Sequence, residues 1–338
     1  MVYRWHNLAR VRAIRRRKYN FCSPKHRTRP YTLQMKVVVL GSHGFLGSNL
    51  TSFLNEDFEV VGLNRENLDL NDDQEIKKVL MGINPNYILL AAGKVGGIGA
   101  NLNNNFLFFD SNLAIQRNVF NVCLDLDIKN IIFFASNTIY PNNIEAPFRE
   151  NDLDLNNIDS SNYGYSLSKI VGIKAAEILN LEKNMNITTL VLSNLYGPND
   201  NFHKDLGHVI PSLIAKFVSA KELGDPEVNL WGTGKPMREI TYVKDICDAV
   251  RFSITNKVPK GVYNVGSGDE YTIEQIANLI KEISMYKGET VFDSSKPDGT
   301  MRKIMDSSKF NNLGWVSKTK FDEGLLETIN YYKKIASL

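Results

Sequence analysis

The segment YGYSLSK, residues 163–169, spaces a tyrosine and a lysine so that the two could act together. On a helix, Tyr165 and Lys169 share one face, because residues four apart are neighbours there. A phenol with a pKa of ~10 is a weak acid at neutral pH, and an adjacent ammonium favours the phenolate and lowers that pKa. This spacing alone is also common on surface helices without a function. Together with the strand-end serine and the glycine-rich turn described next, it predicts a proton-transferring pair, in which Lys169 can also hold a ribose.

A second candidate is the segment FFASNTIYP, residues 133–141, where an apolar run ends in hydroxyls and an amide. Ser136 is predicted at the carboxyl end of a strand, where it can hydrogen-bond the carbonyl oxygen that Tyr165 protonates. The hydroxyl of Thr138 cannot ionise usefully without an activating base or metal. Thr138 is therefore expected to orient a substrate and not to remove a proton from carbon.

A glycine-rich turn, GSHGFLG, follows the first predicted strand and opens the first predicted helix. Glycine lets backbone N–H groups approach a pyrophosphate at a helix N-terminus, although such turns also need glycine for steric reasons alone. Three glycines at this spacing favour a phosphate loop. The predicted loop residues are Gly41, Ser42, His43, Gly44, Phe45, Leu46 and Gly47.

The second predicted strand ends in Asn64 and Arg65, where an acidic residue would select a free ribose 2′-hydroxyl. A guanidinium can bind a 2′-phosphate through charge-assisted hydrogen bonds. The alternative is that Arg65 is an ordinary solvated charge on a loop. Its position favours the first interpretation, so the predicted cofactor is NADP(H), and no metal is predicted.

These motifs depend on strands and helices that alternate along the chain. Strands are predicted at 36–40, 58–63, 87–92, 130–136 and 188–194, and helices at 45–56, 72–82, 106–126 and 163–183. The strands are almost continuously apolar, as a parallel sheet covered on both faces requires. The predicted fold class is α/β, a Rossmann-type doubly wound parallel sheet with a smaller C-terminal α/β lobe.

The predicted domains are a leader at 1–34, an NADP-binding domain at 35–200 and a mainly substrate-binding lobe at 201–338. The lobe has predicted helices near 208–221, 244–256 and 272–286 and short strands near 228, 262 and 290, some of which return to the main sheet. Ligands bind at the carboxyl edge of such sheets, so the lobe is expected to pack there.

Composition limits the function classes. Of 338 residues, 43% are hydrophobic, without an apolar run long enough to predict a membrane span. Three scattered cysteines predict no disulfide framework and favour the reducing cytoplasm. Residues 1–34 hold ten basic and no acidic side chains, so the remaining chain is acidic, which argues against a nucleic-acid-binding surface on the folded domain.

The basic leader has three interpretations: a transit peptide, an arm that seeks nucleic acid or membrane, or upstream sequence joined to a protein that begins at Met35. The third is preferred, because Met35 immediately precedes the first predicted strand. The leader is expected to be disordered under each of them.

Five further motifs indicate a resemblance to a known family. These are AAGKVGGIGAN (91–101), NLYGPNDNFH (194–203), HVIPSLIAKF (208–217), WGTGKPMRE (231–239) and SKPDGTMRK (295–303). From about Met35 to the C-terminus, the chain resembles the extended short-chain dehydrogenase/reductase family and, within it, the GDP-L-fucose synthases. The resemblance implies an NADPH-dependent 3,5-epimerase-4-reductase acting on GDP-4-keto-6-deoxy-D-mannose or a related GDP-sugar, and a homodimer.

Carried over by position, the resemblance implies a reductase set of Ser136, Tyr165 and Lys169, with His208 as the acid in epimerisation. At the cofactor it implies Gly41, Gly44, Gly47, Arg65, Ser136, Lys169, Asn194, Leu195 and His208. At the sugar nucleotide it implies Lys216, Trp231, Arg238 and Asp298. The alternatives are plain burial for Trp231, a solvated helix face for Lys216 and a loop histidine bonded to carbonyls for His208.

Thr138 departs from the family, which has a cysteine base at this position. Two functions stay open: the full epimerase-reductase, in which His208 and water or another residue cover the lost role, or a 4-keto reductase without epimerisation. The resemblance to the family favours the full epimerase-reductase, whereas the chemistry of Thr138 alone favours the 4-keto reductase. A non-catalytic NADP-binding protein ranks below both, because Tyr165 and Lys169 are present together.

Overall fold

A parallel sheet of six strands organises the protein, whose computed structural model describes residues 35–96, 104–204 and 207–337. The predicted leader at 1–34 lies outside the described residues. The strands are β1 (Lys36–Leu40), β2 (Glu59–Leu63), β3 (Tyr87–Leu90), β4 (Asn130–Ser136), β5 (Asn186–Leu192) and β9 (Gly261–Val265). Their order in the sheet is β2-β1-β3-β4-β5-β9.

Helices cover both faces of this sheet. The described helices are α1 (Phe45–Leu54), α2 (Asp73–Ile83), α3 (Asn105–Asp125), α4 (Tyr163–Glu182), α5 (Val209–Leu223), α6 (Val243–Thr255), α7 (Ile273–Ser284), α8 (Ser308–Asn311) and α9 (Phe321–Ile335), of which α5, α7 and α9 pack on the C-terminal part instead of the main sheet. Leu50 of α1 and Val250 of α6 pack with Val39 on one face. Ile76 of α2 and Ile170 of α4 belong to the core on the other face. The predicted Rossmann-type fold is confirmed.

The C-terminal part adds two small sheets. Its further strands are β6 (Asn194–Tyr196), β7 (Glu227–Trp231), β8 (Met237–Tyr242), β10 (Glu270–Thr272), β11 (Glu289–Asp293) and β12 (Arg302–Lys303). β8 pairs with β6, β10 and β12, and β7 pairs with β11. α5, α7 and α9 cover this part with a third core. The strand predicted near 262 is β9, which lies in the main sheet, whereas the domain boundary at 200 stays a prediction.

The topology brings the loops that follow β1, β3 and β4 to the same edge of the main sheet. β1, β3 and β4 run parallel, so their carboxyl ends meet there, and the strand order reverses between β1 and β3. A ligand crevice forms at such a switch point. Within the described ranges, no helix combines the length and apolarity that a membrane span needs.

Candidate active site

The turn after β1 forms a narrow cradle. Gly41 has a φ of +93°, a conformation that favours glycine, and a Cβ there would lie 2.7 Å from the Cα of Ala92. A Cβ on Gly47 would overlap the carbonyl oxygen of Gly41. Gly44 is the N-cap of α1, whose first-turn N–H groups have no intrahelical acceptor and can bind an anion. The cradle therefore fits the pyrophosphate of a dinucleotide.

The end of β2 lies against this loop. The backbone N–H groups of Gly41 and Ser42 donate to the carbonyl oxygen of Leu63 over 2.8 and 3.0 Å. His43 Nε2 lies 2.9 Å from Asn64 Nδ2, and the next residue, Arg65, is exposed. An amide, an imidazole and a guanidinium thus occur together where an acidic residue would bind a ribose diol. This group fits a 2′-phosphate.

Tyr165 and Lys169 lie on one face of α4. Lys169 Nζ is 5.8 Å from the centroid of the Tyr165 ring and 4.9 Å from that of Phe133. The lysine is 5% exposed, and a Cβ on Gly93, just beyond β3, would lie 3.7 Å from its Nζ. The pair therefore lies at the carboxyl edge of the sheet, next to the residues that contact the phosphate loop.

Burial decides the protonation of this pair. Desolvation raises the pKa of Tyr165 to about 12 and lowers the pKa of Lys169 to about 8. The expectation that Lys169 lowers the pKa of Tyr165 is wrong for this structure, because desolvation of the phenolate outweighs the ammonium. At neutral pH the phenol keeps its proton, which is the form that can donate it.

Ser136 ends β4 and caps the short 3-10 turn Asn137–Ile139, which contains Thr138. Ser136 Oγ accepts a hydrogen bond from the Thr138 N–H over 3.4 Å, and Ser166 Oγ of α4 donates to the Thr138 carbonyl oxygen over 2.9 Å. Thr138 Oγ1 is buried and has no hydrogen-bond partner among the described residues. No described residue therefore acts as an activating base for this hydroxyl, and the expectation that Thr138 does not abstract protons stays a prediction.

His208 is the N-cap residue of α5. Its Nδ1 lies 3.1 Å from Asp200 Oδ1, and this hydrogen bond raises its pKa. The predicted alternative of a histidine bonded to loop carbonyls does not describe this contact. Nearby, Asn194 Nδ2 donates to the Glu239 carbonyl oxygen over 3.0 Å, and Leu195 packs against the main core. Asn194 and Leu195 thus lie where β6 joins β8, next to the main sheet.

The implied nucleotide contacts lie in the C-terminal part. Trp231 ends β7 with 70% of its side chain exposed, so it is not a core residue, and Lys296 Nζ lies 5.9 Å from its ring centroid. Lys216 is half-buried on α5. The plain-burial alternative for Trp231 is therefore wrong, and an exposed indole beside a cation is suited to stacking on a base.

Arg238 lies on β8 and is fixed by backbone acceptors. Its Nη1 donates to the carbonyl oxygens of Met237 and Thr300, over 2.7 Å in each case. Burial lowers its pKa, and the nearby carboxylate of Asp298 opposes this effect. Asp298 accepts hydrogen bonds from the Thr233 N–H and Oγ1 over 2.6 and 2.8 Å, which lower the pKa of the carboxyl group. Each residue is held before any ligand binds.

Residues 37–266 match the model of the NAD dependent epimerase/dehydratase family. The chain belongs to this family. Probable GDP-L-fucose synthase 1 of Oryza sativa subsp. japonica, a relative, is 40% identical over 300 residues, which are 88% of this chain and 92% of the relative. The resemblance to GDP-L-fucose synthases is thereby confirmed.

Two solved structures show how closely this member of the epimerase/dehydratase family follows its relatives. A GDP-6-OMe-4-keto-L-xylo-heptose reductase from C. jejuni has a TM-score of 0.83 and 30% identity, with 90% of this chain and 99% of that chain covered. A GDP-L-fucose synthetase from Naegleria fowleri bound to NADP has a TM-score of 0.82 and 26% identity, with 92% and 98% covered. The NADP in that structure agrees with the predicted cofactor.

Three residues of the site were not predicted from the sequence. Asn64 reaches His43, Asp200 reaches His208, and Lys303 lies opposite Arg238 in the β8–β12 ladder. Lys303 is 8% exposed and its Nζ lies 3.6 Å from Asp159 Oδ2. Asp200 and Lys303 occur in quoted segments and Asn64 precedes Arg65, so in each case the signal was a charged or amide residue next to residues that had been assigned a role.

Proposed function

We propose that the protein is an NADPH-dependent 3,5-epimerase-4-reductase that acts on GDP-4-keto-6-deoxy-D-mannose. The observation that carries the proposal is the pair of half-buried Tyr165 and buried Lys169, which lies at the sheet edge beside the phosphate loop. The names of the relatives, GDP-L-fucose synthase and GDP-keto-sugar reductase, support a GDP-sugar as the substrate.

The site has residues that fit two groups of NADP(H), the pyrophosphate and the 2′-phosphate. The glycine cradle would hold the pyrophosphate, and His43, Asn64 and Arg65 would hold the 2′-phosphate. Lys169, Ser136, Asn194, Leu195 and His208 are proposed along the remainder of the cofactor. When bound, NADPH supplies the hydride that reduces the C4 ketone.

Proton transfer at C4 is assigned to Tyr165. The ketone oxygen gains a proton as C4 is reduced, and a phenol kept neutral by burial is ready to donate one. Ser136 Oγ is proposed to hydrogen-bond the same oxygen. The two hydroxyls would also stabilise the negative charge that develops on this oxygen when a C3 or C5 proton is removed.

Epimerisation needs a base on one face of the sugar and an acid on the other. His208 is proposed as the acid, because its contact with Asp200 favours the protonated imidazole. Thr138 cannot replace a cysteine base, since within the described part of the chain its buried hydroxyl has no partner that would accept its proton. We propose that water or another residue takes this role and that the protons at C3 and C5 exchange slowly.

The nucleotide is proposed to bind in the C-terminal part. Arg238 and Lys303 are adjacent cations that suit a diphosphate, and Trp231 offers an exposed ring for the base. Asp298 is proposed to accept sugar hydroxyls and Lys216 to contact the nucleotide. We also place the protein in the cytoplasm, which agrees with the free, buried thiols of Cys123 and Cys247.

The deciding experiment combines the protein with GDP-4-keto-6-deoxy-D-mannose and unlabelled NADPH in deuterium oxide. We expect NADPH oxidation and a product that carries deuterium at C3 and C5 and protium at C4. Mass spectrometry and NMR of the product measure the three positions. A folded, cofactor-bound protein without turnover would indicate a binding protein. A reduced product without label at C3 and C5 would replace the proposal with reduction alone.

Thr138 variants serve as arms of this experiment. Thr138→Val keeps the shape and removes the hydroxyl, and it is expected to keep the deuterium label because that hydroxyl is not the base. Thr138→Cys introduces a thiol that can become a thiolate, and it is expected to increase label uptake.

We also propose that two copies of the chain associate through α3 and α4. Phe106 and Leu181 are 78% and 83% exposed, and Tyr163 and Ile178 add further apolar surface on these helices. Exposed apolar residues grouped in this way are typical of a protein interface. The basis of the proposal is thus exposed apolar surface on two neighbouring helices.

Light scattering after gel filtration tests the dimer. We expect about twice the 38.2 kDa of one chain, and about one chain for Leu181→Asp. Leu223→Asp, which changes a residue 73% exposed on α5, is the matched control and is expected to leave the mass at two chains. A wild-type mass of one chain would refute the dimer.

A further inference from the structure

Asp200 and His208 form a carboxylate–imidazole pair at the start of α5. A carboxylate only accepts hydrogen bonds, so the contact of 3.1 Å between Asp200 Oδ1 and His208 Nδ1 has the ring nitrogen as its donor. The tautomer with a proton on Nδ1 is thereby selected. Nε2 is the nitrogen that can then exchange a proton with a bound molecule, and the His208 side chain is 52% exposed.

The two partners differ in burial. The Asp200 side chain is 1% exposed, and its Oδ2 is buried without a hydrogen-bond partner among the described residues. A carboxylate left in this state costs free energy, since burial removes water that is only partly replaced. Because the Asp200 end of the pair is shielded from water, its interaction with the imidazole is screened less than that of a fully exposed pair.

The two residues before Asp200 are anchored to two different helices. Asn49 Nδ2 of α1 donates to the Pro198 carbonyl oxygen over 2.8 Å. The Tyr331 hydroxyl of α9 donates to Asn199 Oδ1 over 2.6 Å. After Asp200, the Asn201 N–H donates to Asp200 Oδ1 over 2.7 Å, so contacts within the fold hold the carboxylate in place.

From this geometry we propose that Asp200 is a positioning residue for the epimerisation: it fixes the His208 ring and tautomer through a charged acceptor at Nδ1, so that Nε2 is the nitrogen that donates a proton to the sugar carbon. Asp200 does not itself contact the substrate. The effect of Asp200 on catalysis rests on the proposed function, because it requires that the protein epimerises the sugar. The pairing of Asp200 with His208 can be tested without turnover.

The test uses Asp200→Asn, which keeps an oxygen that can accept from Nδ1 and removes the charge. The NADP-bound protein is labelled with nitrogen-15 in histidine, and the His208 signals are assigned with His208→Gln. We expect the titration midpoint of His208 to move to lower pH in Asp200→Asn and its tautomer preference to weaken. An unchanged midpoint and tautomer would overturn the proposal, whatever the activity.

Deuterium uptake at C3 and C5 gives the catalytic readout. It is expected to fall about a hundredfold in Asp200→Asn, the lower end of what a positioned general acid contributes. NADPH affinity is expected to stay at the wild-type value. Uptake that does not fall, with the midpoint moved, would overturn the catalytic part of the proposal. Wild-type protein without any uptake would instead contradict the proposed function, and the titration would still report on the pair.

Asp245→Asn is the matched control. Asp245 is also a buried carboxylate, but it lies in α6 and accepts from the Ser317 hydroxyl over 2.5 Å and the Thr319 N–H over 3.0 Å. This variant is expected to lower thermal stability without moving the His208 midpoint or the ratio of deuterium uptake to reduction. A midpoint that moved in both variants would mean that general loosening, and not the Asp200 charge, controls His208.

Discussion

Tyr165→Phe is expected to lower the rate of NADPH oxidation by roughly 10² to 10⁴, the contribution of a positioned proton donor. The change removes only the hydroxyl. The ring that lies 5.8 Å from Lys169 Nζ remains, so packing and cofactor binding are expected to persist. Single-turnover NADPH oxidation measures the loss, and NADPH fluorescence measures binding.

Tyr163→Phe is the control for this experiment. Tyr163 lies two residues away on the same helix, but 45% of its side chain is exposed. Removal of its hydroxyl is expected to leave the reduction rate unchanged. If Tyr165→Phe reduced the ketone at the wild-type rate, the proton would have to come from another group, and the assignment of the catalytic set would fail.

The main sheet could be predicted because each of its strands is a short apolar run that is visible in the local sequence. The predicted strand at 130–136 is β4 with the same bounds. Strand β5 begins two residues before its predicted start, because Asn186 and Ile187 already pair with Asn130 and Ile131. An asparagine at the start of a strand carries no periodic signal, since only the partner strand fixes the register.

Parts of the C-terminal half were harder to predict. β8 contains Glu239, a residue with no exposed surface, whose carboxylate accepts from the N–H groups of Gly268 and Met305. A buried charge contradicts the apolar pattern of a strand until these donors are known. Helix α9 was not predicted, although Phe321, Leu325 and Ile329 recur every fourth residue, so in that case the signal was present.

The contacts of the candidate site also fall into those that the sequence predicts and those that it does not. Tyr165 and Lys169 could be paired by their helical spacing, because both ends of that contact lie within one turn. The partner of Lys303 is Asp159, which is remote in sequence, and no spacing rule connects them. The protonation of Tyr165 also depends on how much water the folded protein removes from it. Burial is a property of the whole fold, and here it reversed the expected direction of the pKa.

The phosphate loop provides the second large prediction. Gly47→Ala places a methyl group where the carbonyl oxygen of Gly41 already lies, so either the turn after β1 or the start of α1 must move. Hydrogen bonds from the loop to a pyrophosphate would be lost, each worth about 1.5–3 kcal/mol. The dissociation constant of NADPH is expected to rise by roughly 10² as measured by fluorescence titration.

Two further glycines calibrate this effect. At Gly44 a Cβ would lie 3.3 Å from the Gly41 carbonyl oxygen, so Gly44→Ala is expected to weaken NADPH binding less than Gly47→Ala. At Gly82, on the exposed face of α2, a Cβ would meet nothing within 4 Å, and Gly82→Ala is expected to stabilise the fold by about 0.5–1 kcal/mol with unchanged binding. Circular dichroism separates lost binding from lost folding. If the loop backbone contacts the pyrophosphate, NADPH affinity should fall most in Gly47→Ala, less in Gly44→Ala and not in Gly82→Ala. Equal NADPH affinity in all three variants would therefore show that the loop does not hold the pyrophosphate.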